Sequence, residues 1–410
     1  LILETPFFKL PARLSNSLYS RIRSKIRELP LLGQLLWWIY YRFIPATIAA
    51  GWDVLRFLFA PCRYFGPVKG SYSDLELLRR SGEKEGRIIL LDQGNPVAGP
   101  ESAMVLCKRK QHLQQPFPVF WRHLGKVRLI GPGLAQINDL KQVSVDAVMG
   151  SPYLKSDPAY QFFIRGEPVR LEGPWTSVVS RWMQVSGTQA YGHWLLDCLP
   201  RLAVLKEFPA ETSIIVPSRR TRYQVESLEL LGLSDRCRWT HETYLEVEDY
   251  YFSSPPSPIA CYSPYTVKVM QEMFWPLKDK RPTPKRFFVR RVGTSRNMTN
   301  ESAVLEFFEK AGWTIVDFAG MPFAEQVAWF ANAEAVAGIH GSGITNTLFC
   351  PPGCKVFELF SDQYIAGDAE WIAQCTGAEH HALIFPSDKH CNAIVDLNRV
   401  RASLESSRML

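Results

Sequence analysis

Ala335-Val336-Ala337-Gly338-Ile339-His340-Gly341-Ser342-Gly343-Ile344-Thr345-Asn346-Thr347-Leu348-Phe349 reads as strand, turn and helix in immediate succession. Ala335–Ile339 is apolar throughout, as a strand buried on both faces would be. His340 to Gly343 form a glycine-rich turn, and 343–349 open a helix. A short, wholly apolar strand feeding straight into a helix is one half of a βαβ unit, so the neighbouring sequence should repeat it.

It does so in both directions. Residues 286–289 predict a strand. Residues 301–311 predict a helix with Asn300 as its N-cap and Gly312 as its stop. Strands follow at 313–316, 355–359 and 381–385, and helices at 323–331 and 366–375. Such alternation predicts a parallel sheet whose ligands sit beyond the carboxyl ends of the strands. Upstream the signal is looser. Strand-like runs at 87–91, 126–130, 178–185, 213–216 and 249–252, with a helix over 218–232, indicate a second α/β unit whose strand order the sequence does not give. Proline clusters (Pro255, Pro256 and Pro258; Pro282 and Pro284) bracket a bridging helix near 267–274. We therefore expect an α/β unit over 71–265 and another over 266–410.

Residues 1–70 differ from both. They carry ten Lys or Arg and three acids, an excess that equals the net charge of +7 of the whole 410-residue chain. A nucleic-acid-binding body would not confine its charge to one arm. Basic residues 21–27 followed by Trp37, Trp38, Tyr40 and Tyr41 fit an interfacial membrane helix, whereas Arg42, Pro45, Asp53 and Arg56 interrupt any spanning run. The alternative is a hydrophobic helical pair packed on the body or on a partner. Nine scattered Cys residues, with Cys350 and Cys354 the one close pair, read as reduced thiols rather than a zinc site. They lean towards a cytoplasmic membrane face over a Golgi lumen.

Three groups of residues carry chemistry. The first is the turn, where Gly341 and Gly343 allow close backbone approach, the helix start offers amides to a diphosphate, and His340, Ser342, Thr345 and Asn346 add polar groups. A tight turn that merely packs helix on sheet remains the plain reading. The second is Arg290, Arg291 and Arg296, at the carboxyl end of the first strand of that unit, where guanidiniums could neutralise a leaving diphosphate. Glu358, expected to end its strand on the same edge, could accept ribose hydroxyls. The third is His193, Asp197 and Arg201, spaced i, i+4 and i+8 on one helix face. Either of the first two could act as a general base, and an orienting His–Asp pair is the alternative. No Asp-x-Asp occurs in the chain, so the usual carboxylate pair of a metal-dependent sugar-nucleotide site is missing.

Taken in order and spacing, Tyr191-x-His193-x-x-x-Asp197-x-Leu199-Pro200-Arg201, Arg286-Phe287-Phe288-Val289-Arg290 with Ser295-Arg296 and Asn300-Glu301, and Gly338-x-His340-Gly341-Ser342-Gly343-x-Thr345-Asn346 with Phe349 and Glu358-Leu359 resemble glycosyltransferase family 61, including its bacterial capsular-polysaccharide members. The resemblance covers about residues 180–400. It implies a GT-B-like build, with two Rossmann-like domains facing a cleft, here with an N-terminal hydrophobic helical extension. It implies inverting transfer from a UDP-sugar to a glycan hydroxyl, with no metal and no resident cofactor. Asp197 is then the first candidate for the base and His193 the second. Arg290, Arg296 and the turn hold the diphosphate, Glu358 the nucleotide, and Arg201 supports the helix. Ser342 stands where that family often has Ala. Pyruvyl transfer to a polysaccharide and a non-catalytic glycan-assembly factor are the rival readings.

Overall fold

The computed structural model describes residues 70–82, 84–90, 118–130, 134–140, 142–147, 167–179, 191–217, 220–242, 244–256, 262–280, 282–292 and 296–410. The basic, aromatic segment expected over 1–70 lies outside these, except for Gly70. Among the described residues no helix is long and apolar enough to cross a membrane.

The first sheet contains β1 (Gly70–Tyr72), β2 (Gly86–Leu90), β3 (Val119–Ile130), β4 (Ala135–Ile137), β5 (Gln142–Ser144), β6 (Val169–Ser177), β7 (Ser213–Pro217), β8 (Cys237–Thr240) and β9 (Tyr244–Ser253). Its order is β1-β5-β4-β3-β9-β6-β7-β8, and β2 pairs the beginning of β3. β3 runs antiparallel to β2, β4 and β9, whereas β6, β7, β8 and β9 pair in parallel. This is a mixed sheet, not the plain Rossmann sheet expected of residues 71–265. The short connection from β3 to β4 suits an antiparallel pair, because parallel neighbours need a long crossover. Of the strand expected over 178–185, residues 180–185 lie outside the described residues, and β6 ends just before it, at Ser177.

The second sheet follows the expectation closely. β10 (Arg286–Val289), β11 (Thr314–Val316), β12 (Ala335–Ile339), β13 (Lys355–Ser361) and β14 (Glu379–Phe385) are all parallel, in the order β11-β10-β12-β13-β14. Alternate residues serve two cores. Phe287, Val289, Val336 and Val356 face the helices Pro264–Phe274, Phe323–Ala331 and Asp368–Thr376. Phe288, Ala337, Ile339 and Phe357 face the helices Glu301–Lys310 and Leu397–Ser406. The chain reverses direction across the sheet between β10 and β12, and a crevice opens above the carboxyl ends of strands at such a switch point.

The two units are fused. One cluster of buried side chains runs from Trp194, Leu199 and Ile214 through Phe274 to Phe323, Val336 and Phe349. The helix Pro264–Phe274, capped by the Ser263 hydroxyl with Pro264 in its first turn, straddles the expected boundary at 265/266. Its Gln271 amide donates to the Leu348 carbonyl at 2.9 Å, and the Trp275 indole just beyond it donates to the Phe349 carbonyl at 2.9 Å. The domains therefore do not face each other across an open cleft along this seam. Apolar helix faces from both are buried in each other.

Candidate active site

β10 and β12 deliver the two arginine-bearing and glycine-bearing segments to the switch point. Beyond β12, His340 leaves the sheet and the chain turns through Gly341, Ser342 and Gly343. The helix that follows is a six-residue 3₁₀ segment, Ile344–Phe349, with no capping side chain. The Ile344 amide donates to the Gly341 carbonyl at 3.0 Å and the Thr345 amide to the Ser342 carbonyl at 3.3 Å. This corrects the expected helix start with free amides: what the turn presents is His340 to Gly343, with Ser342 exposed.

The guanidinium at this turn belongs to Arg291. A Cβ placed on Gly341 would meet Arg291 Nη1 at 1.7 Å, and Arg291 Nη1 also donates to the His340 carbonyl at 3.3 Å. Burial, and then the neighbouring Arg296 guanidinium, push the Arg291 pKa down to about 10. Arg296 lies over the Tyr364 ring at 4.2 Å and has a positive φ of 65°. Arg290 turns the other way and makes a two-pronged pair with Glu301, at 3.0 and 3.2 Å. Strand parity accounts for the difference. Arg290 continues the Phe288 face, towards the helix that carries Glu301, and Arg291 continues the Phe287 and Val289 face. Arg290, expected at the diphosphate, therefore lies away from the turn, and Arg291 lies against it.

His340 is fixed on three sides. Its ring stacks on Phe360 at 5.1 Å and tilts against Tyr364 at 5.5 Å, and its Nδ1 pairs with Glu358 Oε1 at 2.7 Å. The other Glu358 oxygen pairs with His380 Nε2 at 3.0 Å. Burial raises the Glu358 carboxyl pKa, but the two imidazoles outweigh burial and hold it below its ordinary value. Glu358 is fully buried, which rules out the expected contact with ribose. β13 continues two residues past Leu359, to Ser361, so Glu358 lies within the strand and not at its end.

The His193–Asp197 pair reaches this place from the first unit. Residues 191–207 form one helical rod that begins as α (Tyr191–His193), widens to a π turn (Trp194–Cys198) and tightens to 3₁₀ (Leu199–Glu207). His193 Nδ1 and Asp197 Oδ2 are 2.6 Å apart, and the Asp197 side chain is wholly buried while that of His193 is 29% exposed. A buried carboxylate is out of reach of a bound hydroxyl, so of the two candidates only the His193 ring is accessible. Gly192 lies so close to the turn that a Cβ there would meet Thr345 Oγ1 at 3.1 Å. Tyr191 donates its hydroxyl to Asn346 Oδ1 at 2.6 Å, and the Asn346 amide donates to Gln326 at 3.1 Å. Asn346 is fully buried, which makes it a strut between the units and not the ligand contact that was expected. Arg201 is likewise structural, donating to the Ser253 carbonyl at 2.7 Å and to the Val179 carbonyl at 3.3 Å.

The structure thus gathers Arg291, Arg296, His340, Gly341, Ser342, Gly343 and Thr345, with His193 adjoining, turns Arg290 away, and leaves Glu358 and Asn346 buried behind them. Phe360 and Tyr364 were not foreseen. Among the described residues no cluster of three His, Cys, Asp or Glu side chains is arranged to hold a metal ion.

Residues 191–357 match the family model described as Glycosyltransferase 61. Over 76 residues the chain is 32% identical to a beta-1,2-xylosyltransferase of Arabidopsis thaliana, a stretch that is 18% of this chain and 14% of that protein. Over 96 residues it is 28% identical to the EGF domain-specific O-linked N-acetylglucosamine transferase of Drosophila melanogaster, covering 23% of this chain and 18% of that protein. Over 69 residues it is 33% identical to the beta-1,2-xylosyltransferase RCN11 of Oryza sativa subsp. japonica, covering 17% and 13%. The chain therefore spans less than a fifth of each of these relatives, which are plant and insect proteins.

Proposed function

We propose, from the match of residues 191–357 to the Glycosyltransferase 61 family model, that the chain moves a sugar from a nucleotide diphosphate donor, UDP-linked, to a hydroxyl of a glycan, with inversion and without a required metal. The observation that carries this reading is the Arg291 guanidinium lying across Gly341, with Arg296 beside it at the switch point. Two guanidiniums match the charge that a departing diphosphate develops. A bound dianion would offset, by its opposite charge, the burial that lowers the Arg291 pKa.

In this mechanism the acceptor oxygen attacks the anomeric carbon opposite the diphosphate. The new C–O bond forms as the anomeric C–O bond to phosphate breaks, and the electron pair leaves with the nucleotide. The acceptor proton passes to His193, and Asp197 stabilises the resulting imidazolium. Arg291, Arg296 and the turn from His340 to Gly343, with the Ser342 hydroxyl, hold the leaving group, and Thr345 and Gly192 keep the base and the turn in register. Membrane contact through residues 1–60, at a cytoplasmic face, belongs to the same proposal.

The test is a panel of UDP-sugars scored by UDP release with and without glycan acceptors, alongside calorimetry with UDP. His193→Ala should lower turnover at least a hundredfold while UDP affinity stays within about twofold. Failure of UDP and every UDP-sugar to bind or turn over would end the proposal.

A further inference from the structure

A second concavity, of ≈ 630 Å³, lies on the first sheet, within the usual range for small-ligand sites. His123 of β3 stands opposite Tyr251 of β9 in the antiparallel register. Alternation sends Phe120 and Phe252 into the core beneath and leaves Trp121, His123 and Tyr251 to line the pocket. The His123 and Tyr251 rings stack at 4.6 Å and 18°. Tyr251 leans on Phe208 at 5.1 Å, and Phe208 meets Trp121 edge-on at 5.5 Å. Asp249 Oδ1 pairs with His123 Nε2 at 2.5 Å and fixes the plane of the imidazole. The result is a row of aromatic rings packed one against the next and held from the side by Asp249.

The rim is charged but balanced. Lys84 and Arg87 stand with Glu85 and Glu207, and Arg87 and Glu207 come within 3.5 Å of each other. A nucleotide or phosphate would call for a net positive rim, as at Arg291 and Arg296. A ring with an apolar C–H face and a belt of hydroxyls matches aromatic rings surrounded by donors and acceptors of both signs. We infer that this pocket binds a neutral saccharide, as a glycan subsite separate from the transfer centre.

Both places lie on one rod. His193 is near the start of the helical run that ends at Glu207, followed by Phe208. At 1.5–2.0 Å per residue that separation is about 21–28 Å, a span that suits a chain of several sugars. Reading the bound saccharide as a distal part of the acceptor rests on the proposed function, whereas binding itself does not.

The experiment titrates the full chain with cellotetraose, xylotetraose and N-acetylchitotetraose by saturation-transfer NMR, with UDP binding measured in parallel. At least one saccharide should bind saturably. Tyr251→Ala and His123→Ala should each weaken it about tenfold, and Tyr251→Phe should retain it, with UDP affinity unchanged in all three. The inference is overturned if no saccharide binds, if binding survives both alanine variants, or if Arg291→Ala abolishes it. Saccharide binding without UDP binding would sink the transferase reading and leave this one standing.

Discussion

Gly341 is a glycine because Arg291 occupies the space its side chain would need. Gly341→Ala should fold, since the obstructing atoms are the end of a flexible side chain, but it should push the guanidinium off the turn. We expect UDP affinity to fall about tenfold or more with little change in melting temperature, measured by calorimetry and thermal unfolding. Arg291→Ala should give the same loss, whereas Arg290→Ala should leave affinity nearly intact. Glu358 predicts a pH dependence. Its folded pKa lies below the ordinary glutamate value of 4.5, so its contribution is fully present above that value and is lost as pH falls through the lower, folded one. Glu358→Gln should be less stable at neutral pH, and its melting temperature should fall less steeply as the pH drops below 4.5. Parity along β10 could have separated Arg290 from Arg291 in the sequence, because residues two apart share a face. Nothing local showed that Glu358 would be held by two histidines, one of them, His380, on the neighbouring strand.

The rod over 191–207 is where sequence reading and structure diverge most among the elements. The i, i+4 spacing of His193 and Asp197 correctly predicted their pairing, yet it could not reveal the π turn that buries the carboxylate. Such a widened turn often marks a functional segment. The second sheet was far more legible, because the strand run over 335–339 is continuous and apolar and the helical run over 323–331 before it has a clear stop. The helix after Gly343 failed as an α-helix although its apolar pattern was read correctly. Asn300 failed as a side-chain cap, because its amide group bonds both backbone groups of Val395, at 2.8 and 3.1 Å. Tyr191→Phe tests the strut between rod and turn. It leaves Asn346 Oδ1 without its phenol donor, and should cost about 1–3 kcal/mol in chemical denaturation. It should also reduce turnover more than UDP affinity, since the base shifts and the guanidiniums do not.

At the scale of the molecule, the shared core makes 191–410 one cooperative body. Phe274 packs edge-on against both Phe323 and Phe349, at 5.0 and 6.2 Å. Phe274→Ala should therefore cost about 3–5 kcal/mol and lower a single calorimetric transition, without splitting it into two. The parallel sheet was legible because each of its strands is bounded by its own turn signal. The mixed sheet was not, because its pairings join segments far apart in sequence, such as β3 with β9, and no local pattern encodes them. The interlock of the two units also constrains how the protein can work. Swinging one half about residue 265 would pull Tyr191 away from Asn346 and Gln326, so substrates are expected to come and go by local rearrangement around Arg296 and Tyr364. If so, thickening the medium with sucrose should leave the catalytic rate almost untouched, whereas an enzyme that gapes between two lobes would slow in proportion.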